Sequence, residues 1–469
     1  MVIKLIRTDV ITDDRTDSFV HPERFHDFHY IGGGSFGRVV SAKDTVRDDY
    51  MVAIKKISVQ RHANARMSDV KNLLREVVIL RYAKNPQIVE LVSIYMELQD
   101  DIEKVPVSIY IVMKYCGENL VDYMAKNQDR LPLGQAAEIV YNIARGLNFL
   151  HKLEIYHRDL KPNNICIDEN DGNFRAKIID LGYARKKPHD TNEITSMIAT
   201  VCYRAPENLF GLKFKEKQDV WSLGCILGYL ASSKNIFRYM RRELKESSGT
   251  LQLILRYLGK PSINFINNLN ENRTSIDRLL WRDFNKLFEA DNEEHGHGFD
   301  TFLERHENDP KRGEALDLMN GMLKWHHEER LSIQDIIESD FVAEFRDERF
   351  EKLPPPDLVT MIKEILDENE DDIKEYQIRK DYNGLIQNYL YTYIAEEFGY
   401  DEDVKDHYSY SPSIMQKMVI LQHMTTFAVL GTLAGISYSY WKQAVFPWRI
   451  LIGGTVVVFS LSALKRGLF

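Results

Sequence analysis

The alternation of apolar and polar residues changes its period several times along the 469-residue chain. Between about 26 and 115 it has a period of two around residues 39–42, 51–57 and 108–113, as half-buried strands require. One stretch interrupts it: over 69–81, Val70, Leu73, Leu74, Val77, Val78 and Leu80 recur at helical spacing on one stripe. From about 120 to 350 the period is mostly helical, most clearly over 135–151 and 220–231. Pro354-Pro355-Pro356 ends that body, because three prolines in a row cannot continue a helix. The pattern predicts an α+β chain: a small, mostly antiparallel sheet with one helix, followed by a larger helical domain.

After the prolines, helices are expected at 358–366 and 385–398, between solvated turns. The last change is the sharpest. Met418 to Trp441 holds no charged residue, counting His423 as neutral. As a helix, this stretch would reach about 36 Å, enough to cross a hydrocarbon core. Tyr438, Tyr440 and Trp441 gather at its end, as aromatics do at a membrane interface. A second uncharged run, 450–464, follows Phe446-Pro447-Trp448-Arg449 and would reach about 22 Å as a helix. The expected organisation is therefore a lead-in over 1–25, a sheet lobe over 26–116 and a helical lobe over 117–352. An acidic extension or spacer over 353–416 and a membrane-anchoring transmembrane helical hairpin over 417–469 complete it, with a single span plus a re-entrant segment as the alternative.

Charge refines this division. The chain carries −9, and residues 357–406 hold 15 Asp and Glu against 5 Lys and Arg, a balance of −10. The rest sums to about +1 (−9 minus −10), so the acidity belongs to one segment and no basic nucleic-acid footprint is present. Cys116, Cys166, Cys202 and Cys225 are scattered, without a CxxC pair or a zinc-finger histidine spacing. They read as small buried hydrophobes in a reducing compartment.

The first chemical signal is Gly32-Gly33-Gly34-Ser35-Phe36-Gly37-Arg38-Val39. A GxGxxG alone also opens dinucleotide-binding units, but there a helix follows; here strand-forming residues follow. Val52-Ala53-Ile54-Lys55 then places a lysine 18 positions after Gly37. That is the layout of a glycine hairpin whose amides approach phosphates, with a strand lysine beneath them. A buried amine needs a counter-charge, and Glu76 on the predicted helix is the candidate.

The second signal is His157-Arg158-Asp159-Leu160-Lys161-Pro162-Asn163-Asn164, with Asp180-Leu181-Gly182 and Ala205-Pro206-Glu207 in order after it. On these strings, residues 26–350 resemble the eukaryotic protein kinase family. The resemblance implies a bilobal fold that binds ATP and Mg2+ in its cleft and transfers a phosphoryl group to a protein hydroxyl. It implies that Asp159 handles the acceptor proton, Lys161 neutralises the transferred phosphate, and Lys55, aimed by Glu76, holds the α- and β-phosphates. Asn164 and Asp180 would be the metal ligands. Ile31, Gly32, Gly33, Gly34, Ser35, Gly37, Val39, Ala53 and Lys55 would enclose ATP, with Met113 as gatekeeper and Lys114, Tyr115 and Cys116 as the adenine hinge. Asp219 looks like the aspartate that braces the catalytic loop, and Glu207 like the partner of Arg330.

Lys161 and Thr200 are of the serine/threonine type. Tyr203-Arg204-Ala205-Pro206-Glu207, Trp221-Ser222-Leu223-Gly224-Cys225-Ile226-Leu227 and Leu258-Gly259-Lys260-Pro261-Ser262 resemble the CMGC group, nearest to MAP kinases and cyclin-dependent kinases. Residues 263–312 fall where that group carries its insert, with 291–300 expected as a surface loop. Arg204 sits at the position associated with a proline after the acceptor. There are two departures. Leu181 replaces the usual phenylalanine and should fill the same apolar space. Thr195-Ser196-Met197 stands where MAP kinases have Thr-X-Tyr, leaving Thr195 as the candidate regulatory site, its phosphate clamped by Arg158 and Arg185. The implied partners are Ser/Thr protein substrates, an upstream activating kinase and a lipid bilayer, with the kinase domain facing the cytosol. The alternative is a membrane-anchored pseudokinase scaffold or membrane organiser.

Overall fold

The computed structural model describes residues 3–6, 24–34, 37–58, 76–77, 79–80, 83–98, 106–128, 131–169, 174–186, 200–212, 216–240, 246–271, 278–290, 296–346, 448–452 and 455–459. The chain divides into two units, Met1–Phe398 and Gly399–Phe469.

In the first unit the period-two segments form one sheet of six strands. These are β1 (Ile3–Ile6), β2 (Phe25–Gly34), β3 (Gly37–Asp44), β4 (Tyr50–Ser58), β5 (Leu91–Leu98) and β6 (Pro106–Lys114), ordered β1-β5-β6-β4-β3-β2. Alternation along β4 and β6 divides the apolar residues between two clusters. Val52, Ile54, Tyr110 and Val112 pack with Phe25, Val40 and Ala42 on the outer face. Ile111 and Met113 point the other way and join the main core. Lys55, one position from Ile54, is therefore turned toward the cleft face. Glu76, Val77, Ile79 and Leu80 are helical and buried, and Val77, Ile79 and Leu80 join the main core. The rest of the expected 69–81 helix lies outside the described residues.

β1 was not anticipated. The lead-in contributes a strand that pairs parallel with β5, from Ile3↔Ile94 to Ile6↔Glu97. Four apolar-rich residues in a polar context carry too short a pattern to be read alone.

The second layer is helical. α1 (Leu120–Lys126) is capped by Asn119, whose side chain accepts from the amides of Val121 and Asp122. α2 (Leu133–Lys152) and α4 (Lys217–Ser232) run through the main core, with α3 (Pro206–Leu209) before α4. α5 (Glu246–Leu258), α6 (Ile263–Glu271), α7 (Arg278–Ala290), α8 (Arg312–Met322) and α9 (Ile333–Ile337) follow. The short strands β7 (Glu118–Asn119), β9 (Ile165–Asp168) and β10 (Arg175–Ile178) form a second sheet, and β8 (Ile155–Tyr156) pairs with β11 (Arg185–Lys186). The fold is thus the expected bilobal one of sheet lobe and helical lobe.

One expectation needs refinement and one correction. Residues 296–299 form no regular element and are partly exposed, as a surface loop should be, but Phe299 among them is buried and packs against Phe237, Tyr257 and Phe302. One aromatic anchor outweighs a polar neighbourhood, because a ring of that size contributes a large apolar area. In the second unit, residues expected as a second helix form an antiparallel ribbon, β12 (Trp448–Ile452) with β13 (Thr455–Phe459), registered from Trp448↔Phe459 to Ile452↔Thr455. Gly453-Gly454 lies between two runs rich in β-branched residues, which is a hairpin signal. Among the described residues no helix is long and apolar enough to cross a membrane. The 418–441 segment and the acidic helices lie outside the described residues.

Candidate active site

Residues far apart in sequence meet along the cleft between the lobes. The Lys55 ammonium lies 2.6 Å from Glu76 Oε1 and 3.2 Å from Asp180 Oδ1, with Lys55 and Glu76 side chains only 8 % and 2 % exposed. Burial works to lower the Lys55 pKa, but the Glu76 and Asp180 carboxylates outweigh it and raise it above the ordinary lysine value. Burial likewise opposes the Asp180 charge, and Lys55 with the Gly182 amide, 3.0 Å from Oδ1, holds that carboxyl below its usual range. The lysine is therefore a fixed cation. Its position follows from the ladder: Lys55 pairs with Val39 on one side and Ile111 on the other.

The loop after β8 supplies a second group. Lys161 Nζ contacts Asp159 Oδ2 at 2.7 Å and Thr200 Oγ1 at 3.2 Å, and the Thr200 amide donates to Asp159 Oδ1 at 3.3 Å. Asn164 donates from its side-chain amide to the Asp159 carbonyl at 2.8 Å and to Oδ2 at 3.2 Å. The Ile179 amide bonds the Asn164 carbonyl at 3.0 Å, which brings Asp180 beside Asn164. With its nitrogen engaged, Asn164 has its side-chain oxygen to offer. Together with the Asp180 carboxylate it forms a hard-oxygen donor set of the kind magnesium takes. Asp159, Lys161, Asn164, Lys55, Glu76 and Asp180 are thus assembled in one place.

The loop is held from below. Asp219 at the start of α4 is fully buried and accepts the His157 and Arg158 amides at 2.9 Å each. It also meets His151 Nε2 at 2.9 Å. These contacts overcome burial and hold the Asp219 carboxyl below its ordinary value. Arg158, at φ 70°, is in the left-handed region, a conformation that such bracing must maintain. His151 is not among the residues that the sequence singles out. It lies in the last turn of a helix, and nothing in its local pattern announces a partner 68 residues away.

The expected hinge is the segment after β6. Ala53 pairs with Met113 across the ladder, the Lys114 amide bonds the Glu90 carbonyl at 2.9 Å, and the Tyr115 amide bonds Met51 at 3.2 Å. Met113 and Cys116 are buried. In the glycine hairpin, Gly32↔Val39, Gly33↔Arg38 and Gly34↔Gly37 are paired, with Ile31 toward the end of β2; Ser35 lies outside the described residues. Gly37 has φ 135°, and a Cβ there would run into the Lys56 carbonyl oxygen. Leu181 is fully buried in the main core, as its expected apolar role requires. Arg330 grips Glu207 through two bonds of 2.7 Å. Arg185 pairs with Tyr156, two positions before Arg158 in the chain, and Thr195 lies outside the described residues.

A glycine hairpin, a buried lysine–glutamate pair, an aspartate loop braced from the following helix and a paired glutamate–arginine tie define a protein kinase. The protein kinase domain family matches residues 25–342, and the chain belongs to that family. Within it the chain is similar to MAP kinases. The mitogen-activated protein kinase sma-5 of Caenorhabditis elegans is 31% identical over 332 residues, covering 67% of this chain and 60% of that protein. The mitogen-activated protein kinase pmk-1 of the same organism is 28% identical over 348 residues, covering 71% of this chain and 80% of the relative. GLH-binding kinase 1, also from C. elegans, is 30% identical over 345 residues, covering 72% and 82%. The chain thus spans about 60% of the length of sma-5.

Proposed function

We propose that this protein is a serine/threonine kinase of the MAP-kinase type, transferring the γ-phosphoryl group of ATP with Mg2+ to protein hydroxyls. The observation that carries the reading is the joining of two clusters. Lys55–Glu76–Asp180 and Asp159–Lys161–Asn164 meet through the Ile179–Asn164 backbone bond. Phosphoryl transfer asks a protein mainly for positioning and charge stabilisation, and these side chains supply both. Lys55, held by Glu76, neutralises the non-transferred phosphates. Asn164 and Asp180 would hold the metal, which would supply screening of the phosphate charge. Asp159 accepts the proton of the incoming Ser or Thr hydroxyl, and Lys161, already against Asp159, stabilises charge on the moving group.

In this reading residues 26–116 and 117–352 are the two lobes, separated by 353–416 from the membrane-anchoring part, 417–469. The acceptors are Ser or Thr, with a preference for a following proline through Arg204. Thr195 is the site for an upstream kinase, its phosphate clamped by Arg158 and Arg185. The chain is tethered to a membrane by 418–441, its kinase domain facing the cytosol. With strands at 448–452 and 455–459, the tether narrows to one apolar segment.

The test is phosphate incorporation into a generic basic protein by the full-length chain in detergent, with magnesium and labelled ATP, against Asp180→Asn. Incorporation lost in the variant and confined to Ser and Thr supports the reading. Equal incorporation by both, or none from either Thr195→Glu or the parent, overturns it. For the tether, membrane fractionation with and without residues 417–469 decides.

A further inference from the structure

The chain leaving α4 forms an anchored shelf that presents two cations. Ser233 ends the helix in the left-handed region at φ 59°, and the Ser232 hydroxyl accepts the Lys234 amide at 3.1 Å. Ile236 and Phe237 are buried. The Phe237 ring stacks on Trp221 with centroids 5.1 Å apart, and its carbonyl accepts from the Thr250 hydroxyl at 3.1 Å. Tyr239 lies so close to α5 that a Cβ on Gly249 would run into its ring. With these side chains holding the segment, Lys234 and Arg238 are exposed, and neither has an ion-pair partner among the described residues. From Lys234 to Glu246 the sequence carries five Lys and Arg against two Glu, a balance of +3. The whole chain outside 357–406 sums only to about +1, so positive charge is concentrated here.

The shelf is tied to the catalytic loop through one short turn. Thr200 meets Asp159 through its amide and Lys161 through its hydroxyl, and it opens the 3-10 turn Val201–Tyr203. The Ser222 hydroxyl holds the Tyr203 carbonyl at 2.9 Å, and the Tyr203 hydroxyl donates to Asn235 Oδ1. Asn235 follows Lys234 directly, and its carbonyl accepts the Arg238 amide at 3.2 Å. Three residues of 3-10 turn rise about 6 Å, and a tyrosine side chain adds about as much again. An extended peptide covers that path in about four residues, at about 3.3 Å each. Cys202, in the middle of the turn, feels both ends of it. Burial and the Glu246 charge raise its pKa to about 11, and Arg238 and Lys161 both act to lower it.

We infer that Lys234 and Arg238 select protein substrates that carry Asp or Glu within about four residues after the acceptor hydroxyl. Arg204 directly follows Tyr203 and in the proposed function reads the residue next to the acceptor, so the shelf beyond it meets the residues that come later. This selection rests on the kinase reading. An exposed ion pair is worth a factor of about 1.4 to 5. Two cations, partly offset by Glu246 at the start of α5, should favour Asp or Glu over Ala by about three- to tenfold. The contact is remote from the moving phosphate and equal in ground and transition states, so the gain should fall on KM more than on kcat.

The test measures kcat and KM of the full-length chain in detergent, with magnesium and ATP, on Ser-Pro peptides. Each peptide carries a single Asp, Glu, Ala or Lys at one nearby position after the acceptor, or at one before it. Asp or Glu after the acceptor should raise kcat/KM by the stated factor and Lys should lower it. The preference should shrink as salt rises from about 0.1 M to about 1 M, where screening acts within about 3 Å. Arg238→Glu should turn the preference toward Lys. Lys234→Gln combined with Arg238→Gln should bring the acid-to-alanine ratio close to one, a ratio read within the variant so that a general change in activity cancels. Lys234→Gln alone should reduce the ratio, and it serves should the double variant fail to fold. Rates with Asp no higher than with Ala, an acidic preference only before the acceptor, or one that survives both substitutions would overturn the inference and leave phosphate transfer standing. Transfer to a basic protein but to none of the acidic peptides would overturn it equally. Transfer to no peptide and to no basic protein would remove the kinase reading and the inference with it.

Discussion

Replacing Arg330 with methionine removes the cation from a carboxylate that has no route to water. Glu207 and Arg330 are 5 % and 0 % exposed and share two hydrogen bonds of 2.7 Å. Breaking a buried pair from one side costs about 3–5 kcal/mol, because the surviving charge stays desolvated. The upper part of that range applies here. The guanidinium also donates to the carbonyls of Lys324 (2.9 Å), Lys217 (3.1 Å) and Trp325 (3.2 Å), and it lies 5.1 Å from the Trp221 ring centre. At about 2–4 °C per kcal/mol for a large domain, a loss of about 4–5 kcal/mol means that Arg330→Met should lower the melting midpoint by about 8–20 °C. Glu207→Leu should destabilise similarly, since it leaves the guanidinium unpaired. The double variant removes both charges and should be clearly more stable than the sum of the single losses predicts, a coupling read by a double-mutant cycle. Thermal unfolding of the four proteins at one scan rate decides. Single losses under about 1 kcal/mol, or strictly additive ones, would refute the argument that this buried pair ties the α3 region to the chain before α9.

Other consequences can be checked together. Lys55→Met strands Glu76 and Asp180 without their shared cation, so phosphate transfer should fall by at least about a hundredfold, measured as kcat/KM for ATP. Asp219→Asn cannot accept both loop amides and face His151, so kcat should drop about tenfold or more with stability lowered by about 1–3 kcal/mol. The Asp219 carboxyl is held below its ordinary value in the fold. Its stabilising share is therefore present above about pH 4 and lost as pH falls through the lowered folded value. The stability gap between parent and Asp219→Asn should narrow in acid, as urea unfolding at pH 7 and pH 3 would show. Gly117→Ala forces a side chain into the Ile167 carbonyl at φ 80° and should weaken ADP binding, measured by calorimetry, more than it lowers the melting midpoint.

Much of this protein is legible in its amino-acid order. Period-two segments on either side of a glycine hairpin specify strands, and long 3.6-period runs specify helices, because each buries one face at its own spacing. The order of Lys55, Glu76, Asp159, Asn164 and Asp180 specifies chemistry, since few other tasks need a fixed cation, a carboxylate and hard metal ligands at those intervals. The pairing of Glu207 with Arg330 is legible through family resemblance, not through spacing.

Other features needed the third dimension. β1 exists because β5 offers it a partner 91 positions away (Ile3↔Ile94), and four residues carry no periodicity of their own. His151 joins Asp219 because two helices pass each other, and Phe299 is buried because Tyr257 and Phe302 receive it. The ribbon at β12 and β13 shows that an apolar run of that length can satisfy its backbone across a ladder as well as along a helix. Gly117, an ordinary glycine in the chain, lies against the Ile167 carbonyl only when the segment after β6 folds over β9. Amino-acid order alone sets the local periods and the inventory of chemical groups. Which distant groups touch is decided by packing, because contact between residues fifty or more positions apart depends on how whole elements cross and not on any pattern within them.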